Sequence, residues 1–155
     1  MSKLLKVLRH WWYETKGAVM VEFAVACLVF LLIVVGIMDL GHAFYMRQVV
    51  TNASREGARY GVVWQADSGG NRMAPSSFSP SIENHVLVDY HIRDYLPSDS
   101  DPQVNVTGSG YTTGTAGAPL EVTVTARKNW FILDNFVPGL GDHVGLSATT
   151  IMQCE

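Results

Sequence analysis

A chain of 155 residues has room for one modest domain, and a formal charge of -3 excludes a generally basic nucleic-acid-binding surface. Charged residues make up 16% and hydrophobic residues 48%. A soluble domain carries about a quarter charged residues, so the shortfall argues against disorder and for a local concentration of apolar residues. Two cysteines do not make a disulfide scaffold.

The apolar residues are gathered in Ala18–Met38, AVMVEFAVACLVFLLIVVGIM, 21 residues with Glu22 as the single ionisable carboxylate. At about 1.5 Å per residue this run crosses a hydrocarbon core about 30 Å thick. Lys3, Lys6, Arg9 and Lys16 precede it, opposed by Glu14, and the next basic residue is Arg47. The positive-inside tendency therefore places the N-terminus in the cytoplasm. Trp11, Trp12 and Tyr13 suit the headgroup layer just before the span. A secretory signal peptide would show a shorter apolar core and a small-residue cleavage site after it. Here Gly36–Ile37–Met38–Asp39 offers none, whereas Gly17 and Ala18 lie on the cytoplasmic edge.

A carboxylate inside a span costs several kcal/mol unless it protonates, snorkels or finds a cation. Glu22, five residues in, can snorkel towards the headgroups, or it can meet a cation on another chain. Gly17 followed by Ala18, with Glu22 fifth and Phe23 sixth after the glycine, resembles a type IV prepilin cleavage site. That resemblance implies cleavage after Gly17 by a prepilin peptidase and methylation of the new amine. It also implies pairing of Glu22 with the amine of a neighbouring subunit. The stretches GAVMVEFAVACLVFLLIVVGIMDLG and RQVVTNASREGARYGVV are similar to the TadE-like proteins, which are pseudopilins or minor pilins of the tight-adherence pilus system. The tail LSATTIMQCE also looks like the closing strand of this group. Phe23, where major pilins of the system tend to carry tyrosine, and the sizeable C-terminal region both favour TadE-like over major pilin.

Domain organisation follows from these features: a leader at 1–17, a long helix at 18–62 with its membrane segment at 18–38, and an extracytoplasmic α+β domain at 63–155. Removing the leader leaves seven basic and thirteen acidic residues. Residues 39–62 hold no proline, so the helix is expected to continue to Val62, about 67 Å in all. Leu40, Phe44, Val50, Ala53, Gly57 and Tyr60 are predicted to share its packed face. Ala53, Gly57 and Gly61 are four apart and permit close backbone approach. Arg55 and Arg59 fall on the polar side. Within the run Asn52–Tyr60, the residues Arg55, Glu56, Gly57, Arg59 and Tyr60 are read as the junction of helix and domain.

Gln65–Ser81 reads as a loop. Ser79 as N-cap and Pro80 at the first helical position predict a second helix, carrying Ile82, Val86 and Tyr90 and ending at Pro97. Ser98–Pro119 is turn-rich, with a short alternating stretch at 104–107 and a flexible glycine-rich connection after it. Leu120, Val122, Val124 and Ala126 alternate inward in a half-buried strand. Val144, Leu146 and Ala148 begin another strand that extends towards Met152. Between them, Trp130–Leu133 and Phe136–Pro138 form an apolar connection, expected first to fill the core, with an exposed contact patch as the alternative. The fold class is thus α+β and pilin-like: a long N-terminal transmembrane helix, packed by a small C-terminal antiparallel sheet with a second short helix.

Catalytic and metal readings are weak. His10, His42, His85, His91 and His143 show no close ligand spacing. Cys27 in the span and Cys154 near the other end are read as free thiols, with pairing of Cys154 between subunits as the alternative. The glycines of 107–119 lack the lysine of a phosphate loop, and Asp99, Ser100, Asp101 and Asn105 lack the glycine and final glutamate of a calcium loop. Asn105–Val106–Thr107 is a glycosylation sequon whose use depends on the host. No nucleophile and base are placed together, so no enzyme and no cofactor are expected. The resemblance implies other pilins and pseudopilins, a prepilin peptidase, the inner-membrane assembly platform and membrane lipid as partners. Nucleic acid is not among them. It places the chain first in the bacterial inner membrane, then in the periplasm or on a cell-surface pilus that serves adhesion. The competing reading is a single-span anchored extracytoplasmic binding or enzymatic domain that never enters a filament.

Overall fold

The computed structural model describes residues 2–131, 136–137, 139 and 141–155, with side chains from Gly17 onward. The side chains of His10 and of the aromatic run Trp11–Tyr13 lie outside that description, as do Ile132, Leu133 and Pro138. One helix, α1, runs over Ser2–Val62 without a break. By contact density the chain divides into two units, Met1–Met38 and Asp39–Glu155. In the first, the apolar residues stay uncovered: Val19, Val21, Phe23 and Leu28 are all more than half exposed.

The second unit has a three-stranded antiparallel sheet in the order β1-β2-β3, with β1 at Gln103–Thr107, β2 at Pro119–Asn129 and β3 at His143–Gln153. The central strand pairs Val104 with Val124 on one side and Ala148 with Val124 on the other. Its even-numbered residues, Leu120, Val122, Val124 and Ala126, are buried as the alternation predicts. On β3 the inward residues Val144 to Met152 are only half-buried, because β3 is an edge strand with less of the domain against it.

The outer part of α1 supplies the other wall of the core. Its buried residues are Asp39, Met46, Val49, Val50, Ala53, Ser54, Gly57, Ala58, Gly61 and Val62. That is a stripe of helical period, departing from the predicted one in its earlier turns: Leu40 and Phe44 lie outside it, at 49% and 69% exposure. Val50, Ala53 and Gly57 of the predicted face are buried, and the small residues Ala53, Gly57 and Gly61 turn to the domain as their spacing predicts. A Cβ on Gly57 would stand 2.7 Å from Val86 Cγ2 and 3.1 Å from Val122 Cγ1. A Cβ on Gly61 would collide with Leu120 and lie 2.6 Å from Ile82 Cδ1.

The second helix is not continuous. Ser81, not Ser79, is its cap, accepting the Asn84 N–H at 3.2 Å. The carbonyl of Pro80 is taken by the Tyr60 hydroxyl at 2.9 Å. Helix α2 covers only Ile82–Asn84 and gives way to a π-turn at His85–Asp89, where the Tyr90 N–H reaches back to His85 O. His91 then takes a left-handed conformation, φ 54°, before α3 at Ile92–Tyr95. Histidine is among the non-glycine residues enriched there. Apolar spacing is much the same in a broken helix as in a whole one, so periodicity could not reveal the break. The glycine-rich connection after β1 is also more ordered than expected, since it folds into α4 at Ser109–Thr113.

Candidate functional site

The membrane-type segment is built by composition alone. Within the helix Gly17–Val62, an 18-residue window has mean hydropathy 2.9 and none of it is buried. Gly17 has nothing within 4 Å of where a Cβ would sit, and Gly17, Ala18, Glu22 and Phe23 are all exposed. Among the described residues Glu22 has no ion pair or hydrogen-bond partner. The chemistry open to such an apolar surface is lateral packing, with one carboxylate exposed on it.

Where α1 leaves the apolar run, a polar site is buried. Asp39 is 0% and Lys128 1% exposed, and Lys128 Nζ donates to Asp39 Oδ1 at 2.7 Å. The same ammonium donates to Asn129 O at 2.7 Å and stands 4.6 Å from the Phe131 ring centroid and 5.0 Å from that of Trp130. The Phe131 N–H donates to both Asp39 oxygens, at 3.2 and 3.1 Å. His42, one turn along α1, stacks on Phe131 with centroids 5.3 Å apart. Two charges are therefore taken out of solvent with hydrogen bonds and ring faces around them, the condition under which a buried pair is tolerated.

Neither Asp39 nor Lys128 was singled out by the residue patterns, though a signal existed. Lys128 continues the even-numbered inward parity of β2, so alternation alone aims an ammonium at the core. Asp39 is the first charge after the apolar run and lies on the small-residue stripe.

The residues read as the junction divide by face. Gly57 makes the close approach described above. Tyr60 stacks on His85 with centroids 4.0 Å apart and meets Phe78 edge-on at 5.8 Å. Glu56 Oε1 lies 3.6 Å from His85 Nε2. Arg55 and Arg59 point away from this cluster and are exposed. A shallow cavity of about 250 Å³ beside it is lined by Tyr45, Gln48, Val49, Asn52, Tyr90 and Tyr95. Burial, with the nearby Tyr95 and Glu56, raises the Tyr90 hydroxyl above its ordinary pKa.

Other candidates are engaged in structure. Asp99 accepts from Asn129 at 2.6 Å and Asp101 from Gln103 at 3.0 Å, so these carboxylates brace loops. No cluster of three metal-ligating side chains occurs among the described residues. Cys154 is a free thiol, 3% exposed, and Cys27 is free and half-buried. Of the apolar connection, Trp130 is half-buried over the Lys128 ammonium, whereas Phe131, Phe136 and Val137 are 65%, 57% and 42% exposed and so do not fill the core. The helix stripe and the even face of β2 already close the core with small and branched residues, leaving these side chains outside it.

The architecture is that of an α+β domain carried on a helix long and apolar enough to cross a membrane. The family model for TadE-like proteins matches residues 17–59, a stretch that holds Gly17, Ala18, Glu22, Phe23, Asp39, Arg55, Glu56, Gly57 and Arg59. That match points to a pilus-associated protein of a structural rather than catalytic family. Tyr60, Lys128 and the tail lie beyond it. No curated protein and no solved structure matches the chain.

Proposed function

We propose that the chain is a pseudopilin or minor pilin taking part in assembly of a tight-adherence pilus and in surface adhesion. A prepilin peptidase cuts between Gly17 and Ala18 on the cytoplasmic side, and the new amine is methylated. The helix from Ala18 to Met38 stays in the inner membrane until the subunit joins other pilins through the assembly platform. Glu22 pairs with the N-terminal amine of a neighbour, and Phe23 packs beside it. Two charges that are each costly in lipid neutralise one another only when subunits stack in register. Arg55, Glu56, Gly57, Arg59 and Tyr60 form the helix–domain junction, with Glu56, Gly57 and Tyr60 facing the domain.

The observation that carries this reading is the TadE-like match over 17–59, which begins on the glycine of the expected cleavage site. Mass spectrometry of the protein from cells with an active peptidase is expected to give an N-terminus at Ala18. An intact N-terminal leader in those cells would sink the processing step. Gly17→Trp is expected to retain the leader and migrate more slowly on a gel. Equal migration of variant and wild type would instead leave a simple anchored domain.

A further inference from the structure

We propose that Phe131, with Trp130 beside it and Phe136 and Val137 further along the same connection, makes a peripheral contact with the lipid surface where α1 leaves the membrane. The proposal rests on the reading that residues 18–38 span the bilayer, and it adds a second point of membrane contact from the folded domain. Three observations support it.

The first is level. The Phe131 N–H is held on both oxygens of Asp39, and Asp39 directly follows Met38, the last residue of the apolar run. At about 1.5 Å of rise per residue, Asp39 and Leu40 lie within the interfacial layer, which is about 5–8 Å deep beyond the hydrocarbon. Phe131 is tied to that level by its backbone.

The second is exposure. Phe131, Phe136 and Val137 do not enter the core, although Lys128, three residues before Phe131 on β2, is buried. Leu40 and Phe44 of α1 are likewise uncovered at this end of the domain. Aromatic and branched side chains here partition favourably into the headgroup–acyl boundary.

The third is charge. Asp39 and Lys128 would oppose contact with lipid if they were exposed. Each is buried against the other, and the rings of Trp130 and Phe131 cover the ammonium. The pair converts a polar corner into an apolar one.

Photocrosslinking in the full chain tests this. Phe131→p-benzoylphenylalanine, and separately the same replacement at Phe136, at Val29 in the span and at Ile151 on β3, are reconstituted in phosphatidylethanolamine–phosphatidylglycerol vesicles and irradiated. Ile151 is 63% exposed but pairs with Glu121, at the opposite end of β2 from Lys128. Lipid-mass adducts are expected at 29, 131 and 136, with a several-fold excess at 131 over 151. Labelling at 29 with 131 and 136 no higher than 151 overturns the proposal and leaves the span intact. Adducts at 131 and 136 to a second copy of the chain, in place of lipid, also overturn it. No adduct at 29, 131 or 136 removes the span and the interface together. Adducts at 131 and 136 without one at 29 remove the span from which the level is counted and overturn the proposal with it.

Discussion

Asp39 and Lys128 are 89 residues apart in sequence and meet at 2.7 Å with both side chains buried. Between them, the contacts of α1 with β2 run in opposite chain directions: Gly61 meets Leu120, Gly57 meets Val122, and Asp39 meets Lys128. Along the helix, from 61 back to 39 is about 33 Å. Along the strand, from 120 to 128 is about 27 Å. The reach of the lysine side chain covers the difference. The ion pair therefore fastens one end of the sheet to the helix, while the glycines fasten the other.

Lys128→Met should destabilise the domain strongly, because it takes away the ammonium buried against the Asp39 carboxylate. Removing one partner of a buried pair costs about 3–5 kcal/mol. The double variant Asp39→Leu with Lys128→Met should recover most of that loss, although the Phe131 N–H then lacks its acceptor. Thermal unfolding in detergent micelles measures both. Equal stability of the single variant and wild type would show that the pair is solvated in solution.

At the glycine end, Gly61→Ala should destabilise more than Gly57→Ala. In each case the alanine gains up to about 1 kcal/mol of helix propensity. Against this stands overpacking of about 1–3 kcal/mol. At Gly57 the new methyl meets Val86 Cγ2 at 2.7 Å and, less tightly, Val122 Cγ1 at 3.1 Å. At Gly61 it meets both Leu120 and Ile82 tightly, from two different elements, so no single rotamer change relieves it. Midpoints of chemical denaturation should fall in that order. A rise for Gly61→Ala would mean the helix stands further from the sheet.

Much of this architecture was legible because it is written in periodicity. The apolar run, its continuation to Val62 and the inward residues of β2 each follow from spacing alone. The face of α1 is legible from Val50 to Gly61 but not in its earlier turns, where large residues do not face the core. Leu40 and Phe44 lie outside it, while Gly57 and Gly61 let the sheet come close. The second helix was drawn whole because a π-turn and a left-handed His91 leave apolar spacing nearly unchanged. The Asp39–Lys128 pair joins residues too far apart in sequence for local patterns to associate, although the strand parity of Lys128 pointed inward.

The turn after α1 should respond to acid. The Asn71 N–H, opposed by desolvation and aided by the Gly69 N–H and the Asn71 side chain, holds the Asp67 carboxyl below its ordinary pKa. The bonds to Oδ1 are 2.9 Å from Asn71 and 2.8 Å from Gly69. A lowered folded-state pKa contributes stability that is present above the unfolded value and is lost as pH falls through the folded one. Amide exchange at Gly69 and Asn71, corrected for its intrinsic pH dependence, should therefore lose protection only below the ordinary carboxylate range. The Asp67→Ala variant should lack that protection at every pH. A carboxyl midpoint at or above the ordinary value in an NMR titration would count against the turn.

Glu22 offers the sharpest separation of membrane insertion from assembly. Its carboxylate is exposed on an apolar helix, and it opposes insertion by several kcal/mol. Glu22→Val should therefore insert at least as well as wild type, judged by carbonate-resistant membrane fractionation. If Glu22 pairs with a neighbour's amine, the same variant should lose most of its incorporation into sheared pili or crosslinked subunit complexes. Glu22→Gln keeps the shape and some hydrogen bonding but not the charge, so it should fall close to valine rather than to wild type. Asp at this position keeps the charge on a shorter arm and should retain part of the function. Wild-type incorporation of the valine variant would show that the carboxylate merely reaches for the headgroups and takes no part in setting the register between subunits.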